Sequence, residues 1–266
     1  MVGIQPPANR ERPRVSVVIP TLNEARNLPH VAARMPAVVD EVVIVDGNSV
    51  DGTAEVARRL WPNGIHIGQT RKGKGNALAC GFAAATGDIV VMIDADGSTD
   101  PAEIPAFVAL LVNGVDYAKG SRFVQGGGTS DITRLRRVGN LGLNLVVNVL
   151  FGTRYTDLCY GYNAFWRRSL AALDLPDPSG TTPQWGDGFE VEALITVRSA
   201  AVGLSVAEIG SFERSRISGA SNLNAVRDGL RVLRIVGEEY LRRRALRVRR
   251  YNPKGFVGTI GTGAAA

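Results

Sequence analysis

Short runs of β-branched and aliphatic residues alternate along the chain with longer segments of helical periodicity. The strand-like runs are VSVVIP, EVVIVD, IHIGQ, DIVVMID and VDYAKGS. The helical segments between them include ARNLPHVAARM, TAEVARRL, GNALACGFAAAT and PAEIPAFVALLV, of which the first is predicted to begin near Asn23 and Glu24. This alternation is typical of consecutive β-α units. We therefore predict an α/β fold with a mostly parallel central sheet.

Polar side chains follow three of the predicted strands at their carboxyl ends. The first strand ends in Pro20 and Thr21, the second in Asp46, and the fourth in Asp94 and Asp96. Open parallel sheets bind ligands at this edge, so the convergence predicts a functional site there. In an extended strand Asp94 and Asp96 project to the same side, where two carboxylates repel each other unless a cation lies between them.

The D-x-D pair fits two kinds of chemistry. Mg²⁺ and Mn²⁺ bind one or two carboxylates together with substrate phosphates, which makes Asp94 and Asp96 candidate ligands of a metal that bridges a nucleotide diphosphate. Arg71, Lys72 and Lys74 supply cations for such phosphates. The sequence DADGS also approaches the D-x-D-x-S/T pattern of aspartyl-nucleophile phosphatases, although that nucleophile normally follows a domain's first strand. A dinucleotide-binding turn is excluded, because no G-x-G-x-x-G follows the first strand.

Composition narrows the class of protein further. The 266 residues suit one large domain, and an apolar content of 45% is enough to form a core. Cys80 and Cys159 lie far apart in the sequence and are interpreted as reduced packing residues. With only two histidines, His30 and His66, a histidine-based zinc site or catalytic triad is not expected.

Positive charge is concentrated near the C-terminus. The net charge is +6, and one stretch holds Arg242, Arg243, Arg244, Arg247, Arg249, Arg250 and Lys254. Such a cluster forms a solvated face, a nucleic-acid patch or a membrane-surface anchor. No aromatic-rich nucleic-acid motif accompanies it, so nucleic acid is the least favoured partner. A secretory signal is not evident and LGLNLVVNVLFG is too short to span a bilayer, so we expect a cytoplasmic protein.

Five segments, in the same order along the chain, resemble the successive motifs of glycosyltransferase family 2. They are VVIPTLNEARNL, VVIVDGNSVDGTAEVA, RKGKGNAL, VMIDADGSTDPAEIP and AKGSRFVQGGG. The resemblance covers roughly residues 14–220 and is strongest to the dolichyl- or polyprenyl-phosphate mannosyl- and glucosyltransferases. It implies a GT-A fold, which is a Rossmann-like three-layer sandwich. We accordingly divide the chain into a flexible leader (1–13), a GT-A domain (14–221) and a C-terminal basic helix with a mobile tail (222–266).

The resemblance also implies an activity. This is the inverting transfer of a hexose from GDP-mannose or UDP-glucose to a polyprenyl phosphate, with Mg²⁺ or Mn²⁺ as cofactor. The alternative is a family member that acts on a hydroxyl of a soluble or cell-envelope acceptor. A lipid acceptor would place the enzyme on the inner face of the cell membrane, and TRLRRVGNLGLNLVVNVLFG is then expected to lie at that interface rather than only cover the core. Both a monomer and a homodimer are compatible with the sequence.

The resemblance assigns roles to residues that match the family's motifs. Asp94 and Asp96 match the metal-binding pair, and Arg122 and Arg136 match arginines that handle donor and acceptor phosphates. The matches to the nucleotide-sugar site are Pro20, Thr21, Asn23, Glu24, Asp46, Lys74, Asp94, Ala95 and Asp96.

The chain departs from the pattern of the polyprenyl-phosphate branch at three positions. Ser98 stands where that branch usually has a glutamine metal ligand, and Asn140 and Tyr160 replace serines. These changes affect the acceptor more than the donor. The segment RSRISGASNL is similar to the family's acceptor-side loop, which orders when donor binds.

A hydroxyl acceptor would require a general base, whereas a polyprenyl phosphate is already a nucleophile. WGDGFEVEALI offers acidic residues for this role, and we take Asp187 and Glu190 as the candidate bases. Glu190 and Glu192 lie two apart on a predicted helix, so at most one of them should face the site. Acidic residues at a helix N-terminus are also favoured by the helix dipole alone.

Overall fold

The computed structural model describes residues 12–219 and 224–250, with side chains as far as residue 244. In chain order, the first elements are β1 (Val15–Thr21), α1 (Leu28–Ala33), β2 (Glu41–Asp46), α2 (Thr53–Leu60), β3 (Ile65–Gly68), α3 (Lys74–Ala84), β4 (Ile89–Met92), α4 (Ile104–Val112) and β5 (Tyr117–Ser121). They are followed by β6 (Gly128–Thr129), α5 (Arg134–Phe151), β7 (Asn163–Trp166), α6 (Arg167–Leu170), α7 (Val191–Val202), β8 (Val206–Gly210), β9 (Phe212–Glu213) and α8 (Ala225–Arg250). Short 3-10 turns precede α4 and follow α6.

The central sheet confirms the predicted α/β architecture. In the described residues its strand order is β3-β2-β1-β4-β7-β5-β8, and β7 alone runs antiparallel to its neighbours. β1 pairs with both β2 and β4, so the carboxyl ends of these three strands meet at one edge. β6 and β9 form a separate parallel pair.

Helices cover both faces of the sheet, which makes three layers. On one face Val17 and Ile19 of β1 pack with residues of α1 and α4, and on the other Val18 packs with residues of α3 and α7. A strand in a sheet that is buried on both faces needs nearly continuous apolar residues, and β1, β2 and β4 have that composition. Cys80 and Cys159 are free thiols, as predicted.

α8 belongs to the same body, although the sequence division placed it in a separate C-terminal region. Val232, Ile235 and Val236 of α8 pack with Val147 of α5 and Leu194 of α7 in a third core cluster. Of the predicted leader (1–13), residues 1–11 lie outside the described residues, and so does the predicted tail beyond residue 250.

The predicted elements and the observed ones differ at two points near the expected site. The first helix begins at Leu28 rather than near Asn23, because Asn23 adopts a left-handed backbone (φ 59°) and its side chain accepts the Val50 N–H. β4 ends at Met92, so the D-x-D pair lies on a turn, which continues through Gly97 with φ 77°. The antiparallel strand β7 was not predicted.

Candidate active site

The carboxyl ends of β1 and β2 form one wall of the site. The Thr21 hydroxyl lies 3.5 Å from the carboxylate of Asp46, whose other oxygen accepts the Ser49 N–H at 3.0 Å. Pro20 precedes Thr21 on β1, and Glu24 lies in the turn that follows. Burial raises the pKa of Glu24, and the nearby Asp96 adds to this effect. The structure thus brings these nucleotide-site candidates to one edge of the sheet.

Both D-x-D carboxylates are paired with cations from distant parts of the chain. Lys74, the first residue of α3, places its Nζ 2.5 Å from Asp94. Arg216 donates from Nη2 to Asp96 at 2.8 Å. Ala95, between them, is buried in the core and fixes the turn. The mutual repulsion expected from the sequence is therefore relieved by cations on both carboxylates.

Lys74 also contacts a second carboxylate. Its Nζ lies 2.7 Å from Glu192 on α7, so one ammonium bridges Asp94 and Glu192. Burial lowers the pKa of Lys74, but the two carboxylates outweigh burial and raise it overall. Lys74 is therefore charged at neutral pH. Burial raises the pKa of Glu192, and Lys74 opposes that shift.

The D-x-D turn supplies a donor set that suits a hard divalent cation. Asp94 and Asp96 present carboxylate oxygens, which Mg²⁺ and Mn²⁺ prefer, and such ions complete their coordination with substrate phosphates and water. Among the described side chains no three of His, Cys, Asp and Glu form a cluster that could hold a metal ion. Asp94 and Asp96 therefore fit a divalent cation whose remaining ligands come from a bound diphosphate and water.

Residues 214–217, which we term the covering segment, lie across the D-x-D turn. The Arg214 N–H donates to the Ser98 carbonyl at 2.8 Å, and the Ile217 N–H donates to the Asp96 carbonyl at 3.1 Å. The Ile217 side chain packs on Gly97, where any Cβ would clash with it. This segment belongs to RSRISGASNL, and residues 220–223 of that stretch lie outside the described residues.

A cavity of about 600 Å³ extends from the D-x-D turn into the space between α5 and α8. At the D-x-D turn its lining is polar, with Lys74, Asp94 and Asp96, and Arg136 of α5 adds a further cation. Its other end is apolar, lined by Leu135, Val138 and Val146 of α5 and by Val226, Leu230 and Leu233 of α8. The cavity is thus amphipathic along its length.

The two arginines assigned to phosphates occupy different environments. Arg122 is buried, and its guanidinium donates from Nε and Nη2 to Asp157 and from Nη1 to Glu213. Bidentate phosphate binding by Arg122 would require at least one of these carboxylates to release it. Both arginines line the cavity, but Arg136 has a single, partly exposed ion pair among the described side chains, to Asp131 at 3.3 Å. Of the two, Arg136 is better placed to receive a phosphate.

Neither candidate base lies in the cavity wall. Asp187 forms a buried bidentate ion pair with Arg71, and Glu190 is fully buried with the Arg231 guanidinium 3.4 Å away. Glu192 instead lines the cavity. The expectation that at most one of Glu190 and Glu192 faces the site agrees with this placement, but Glu192 is the one that does. Asp187 holds the buried Arg71 guanidinium, and Glu190 accepts the N–H groups of Gly186 and Gly188. Both carboxylates are therefore occupied by internal contacts.

Two of the three positions that depart from the family pattern, Tyr160 and Asn140, have internal side-chain hydrogen bonds. Tyr160 pairs with Ser211 at 2.9 Å, and Ser211 donates to Glu103 at 2.5 Å. The Asn140 amide donates to Asp157 at 3.0 Å, the carboxylate that also holds Arg122. Tyr160 and Asn140 therefore order the wall of the cavity.

α5 and α8 expose several large apolar side chains, some of which also line the cavity. On α5 these include Leu145 and Val149, 65% and 73% exposed, and on α8 Leu230 and Leu241, 62% and 64% exposed. Exposed arginines lie beside them at 134, 137, 227 and 234. No helix in the described ranges is both long and apolar enough to cross a membrane.

Comparisons with known proteins agree with this geometry. Residues 16–173 match the family described as Glycosyl transferase family 2. The undecaprenyl-phosphate mannosyltransferase of Micrococcus luteus is 32% identical over 205 residues, which is 74% of this chain and 82% of that protein. The polyprenol monophosphomannose synthase of Mycolicibacterium smegmatis is 31% identical over 232 residues, 84% of this chain and 85% of that protein.

The fold is shared with a solved glycosyltransferase. The glucosyl-3-phosphoglycerate synthase of Mycobacterium tuberculosis, in complex with Mn²⁺, UDP-glucose and phosphoglyceric acid, superposes with a TM-score of 0.66 at 23% identity. The match covers 86% of this chain and 80% of that one. The architecture is accordingly GT-A, as the resemblance implied, and the chain belongs to glycosyltransferase family 2.

Proposed function

We propose that this glycosyltransferase moves a hexose from a nucleotide-diphosphate sugar to a polyprenyl phosphate, with Mg²⁺ or Mn²⁺ as cofactor. The observation that carries the proposal is the amphipathic cavity, whose polar end reaches the D-x-D turn and whose apolar end opens between α5 and α8. A lipid phosphate has the same division into a charged head and an apolar chain. A small soluble acceptor would leave the apolar end without a role.

The donor nucleotide would lie along the edge formed by β1, β2 and α3. Asp46 can accept hydrogen bonds from base N–H groups or ribose hydroxyls, and Lys74 lies where a diphosphate would meet the D-x-D turn. Pro20, Thr21, Asn23 and Glu24 complete this wall. The two relatives named above are mannosyltransferases by name, whereas the solved structure holds UDP-glucose, so both GDP-mannose and UDP-glucose are proposed donors.

The reaction needs no protein base when the acceptor is a phosphate. An oxygen of the lipid phosphate attacks the anomeric carbon of the hexose, and the bond from that carbon to the nucleotide diphosphate breaks from the opposite face. The anomeric configuration is inverted, and the nucleoside diphosphate leaves with one additional negative charge. Lys74 and Arg216 lie beside the D-x-D turn and would stabilise that charge electrostatically.

Asp94 and Asp96 would hold the divalent cation. When bound, it would act as a Lewis acid that neutralises charge on the departing diphosphate. The Arg216 contact with Asp96 would then be exchanged for one with the diphosphate, because both charges compete for the same carboxylate.

We further propose that the protein binds peripherally to an anionic membrane surface on the cytoplasmic side. Leu135, Val138 and Leu230 are exposed and also line the cavity, and exposed arginines accompany them. Each basic residue near an anionic surface contributes on the order of 1 kcal/mol, so several of them give reversible attachment. The arginines beyond residue 244 and Lys254, which belong to the same predicted cluster, lie outside the side chains described.

An acceptor panel tests the proposed function. Purified protein is incubated with tritiated GDP-mannose or UDP-glucose, Mn²⁺, and one of three acceptors: a long-chain polyprenyl phosphate, phosphoglycerate, or a polyprenol that lacks phosphate. Label is expected in the lipid phosphate product with at least one donor. Transfer only to phosphoglycerate or to the alcohol would contradict the proposal and favour the soluble or hydroxyl acceptor.

Two further measurements test the accessory parts of the proposal. Release of inorganic phosphate from simple phosphomonoesters would support the aspartyl phosphatase alternative, which the family assignment does not support. Sedimentation analysis distinguishes the monomer from the homodimer, and the proposed function is compatible with both.

A further inference from the structure

Asp94, Lys74 and Glu192 form a compact trio in the cavity wall. The Lys74 ammonium lies 2.5 Å from Asp94 and 2.7 Å from Glu192. Glu192 is 4% exposed and comes from α7, far from the D-x-D turn in sequence. Gly161 closes over the trio, since a Cβ there would lie 3.0 Å from Lys74 Nζ and 3.2 Å from Asp94 Oδ2. The position of the ammonium is therefore set from three directions.

The charges in the trio bear on metal binding. A lysine paired with Asp94 alone would neutralise that carboxylate and compete with a divalent cation for its oxygens. Two carboxylates that share one ammonium leave the group with a net negative charge. Because the side chains are largely removed from water, each charge acts more strongly than it would in bulk solvent.

We propose that Glu192 is a positioning residue for the metal site: it draws the Lys74 ammonium toward α7, so that Asp94 keeps the negative charge and the free oxygen that a divalent cation requires. The inference rests on the metal dependence of the proposed function. Glu192 acts through its contact with Lys74. This positioning role differs from that of a general base, which the sequence predicts for Asp187 or Glu190 in the same acidic stretch.

Mn²⁺ affinity provides a readout that does not depend on turnover. Titration of Mn²⁺ in the presence of GDP or UDP, followed by electron paramagnetic resonance of the free ion, is compared for the wild type and Glu192→Gln. Groups that orient metal ligands from outside the coordination sphere alter metal affinity by about 10- to 100-fold, and a loss of that size is expected. Unchanged affinity in a folded Glu192→Gln variant would overturn the inference.

A shorter acid separates positioning from simple charge. Glu192→Asp keeps the negative charge but withdraws the carboxylate by one methylene from Lys74. If position matters, its Mn²⁺ affinity falls as in Glu192→Gln; wild-type affinity would show that charge alone acts and would overturn the positioning role. Glu239→Gln is the matched control, since Glu239 is a buried acid paired with Arg198 at 2.7 Å outside the cavity wall, and it should leave the affinity unchanged.

Two baselines separate this inference from the function on which it rests. Wild-type protein that binds no Mn²⁺ with either nucleotide, or that binds it equally well as Asp94→Asn, would overturn both. Metal binding that needs Asp94 but ignores Glu192 would overturn only the role of Glu192. Thermal unfolding of every variant shows whether a change in affinity reflects a change in the fold.

Discussion

The proposed donor edge, at the carboxyl ends of β1, β2 and β4, and the proposed acceptor side of the cavity, between α5 and α8, are built in different ways. The donor edge consists of strand ends and tight turns, and its charged groups are paired in advance, Asp94 with Lys74 and Asp96 with Arg216. The acceptor side consists of two long helices whose apolar residues remain exposed, Leu145 and Leu230 among them. A charged donor requires fixed, compensated charges, whereas a lipid acceptor requires an open apolar surface. The construction of each region thus matches the chemistry of the substrate proposed to bind there.

The largest effect is expected at the donor edge. Asp94→Asn or Asp96→Asn removes a proposed metal ligand and should lower transfer on the order of 1000-fold, because the metal supplies several kcal/mol of charge stabilisation and each 1.4 kcal/mol is about tenfold in rate. Transfer is measured with saturating Mn²⁺, and circular dichroism checks the fold. Full activity of either variant in excess chelator would contradict the site assignment.

Substitution of Arg122 and of Arg136 should have different effects, the first on stability and the second on acceptor binding. Arg122→Ala leaves the buried Asp157 carboxylate without its main cation, so we expect a loss of about 3–5 kcal/mol of unfolding free energy. Arg136→Ala breaks only a half-exposed pair and should leave stability within about 1 kcal/mol while raising the KM for the lipid phosphate. Urea unfolding and acceptor titrations separate the two. Equal stability losses would show that both arginines are structural.

A further prediction concerns the apolar surface of the acceptor side. Leu145→Glu together with Leu241→Glu places charges on exposed side chains of α5 and α8 that do not line the cavity, and should lower binding to anionic vesicles and transfer to a long-chain acceptor by about tenfold, as about 1.4 kcal/mol of apolar burial is lost. Hydrolysis of the sugar donor should be unaffected.

Val112→Glu is the control for that change, because Val112 is 56% exposed on α4, away from the cavity. It should retain vesicle binding. Vesicle binding by the wild type should also fall as salt is raised, since salt screens the arginines. If the two leucine substitutions and Val112→Glu act alike, the exposed apolar side chains of α5 and α8 have no special role in membrane binding.

These regions also differed in how far sequence could predict them. The parallel strands and the convergence of Thr21, Asp46 and the D-x-D pair followed from local patterns. The central sheet confirmed that part, although β7 was missed because GYNAFW carries no alternation that sets it apart. The early end of β4 was also missed, since its apolar run continues to Ile93.

Contacts between distant segments could not be predicted in the same way. Asp187 and Glu190 were favoured as bases over Glu192 because helical periodicity fixes relative faces but not which face meets the cavity. The rotation of α7 is set by its packing on α3 and α8. Arg216 carried one signal, its place in the loop-like RSRISGASNL, but its partner Asp96 lies 120 residues earlier.

The smallest expected effect concerns an ion pair that steadies the donor edge. The Arg34 guanidinium lowers the pKa of Asp100, although burial opposes the shift. Because the folded-state pKa is lower than the unfolded one, the stability from this pair is present above the ordinary pKa and is lost as pH falls through the lower value. Arg34 is 53% exposed, so Asp100→Asn should cost less than about 1 kcal/mol at pH 7, and this difference should shrink as pH falls through the lowered pKa of Asp100. A pH-independent difference in urea unfolding would assign the effect to shape instead.

The central claim is that the space between α5 and α8 receives the chain of a lipid phosphate. Photo-crosslinking with a polyprenyl phosphate that carries a diazirine in its isoprenoid chain, followed by peptide mapping, tests it directly. The account predicts labelled peptides from 134–151 and 225–241, with labelling suppressed by excess unlabelled polyprenyl phosphate but not by polyprenol of equal length. Labelling of α4 or α2 to the same extent, or suppression by the alcohol alone, would contradict it.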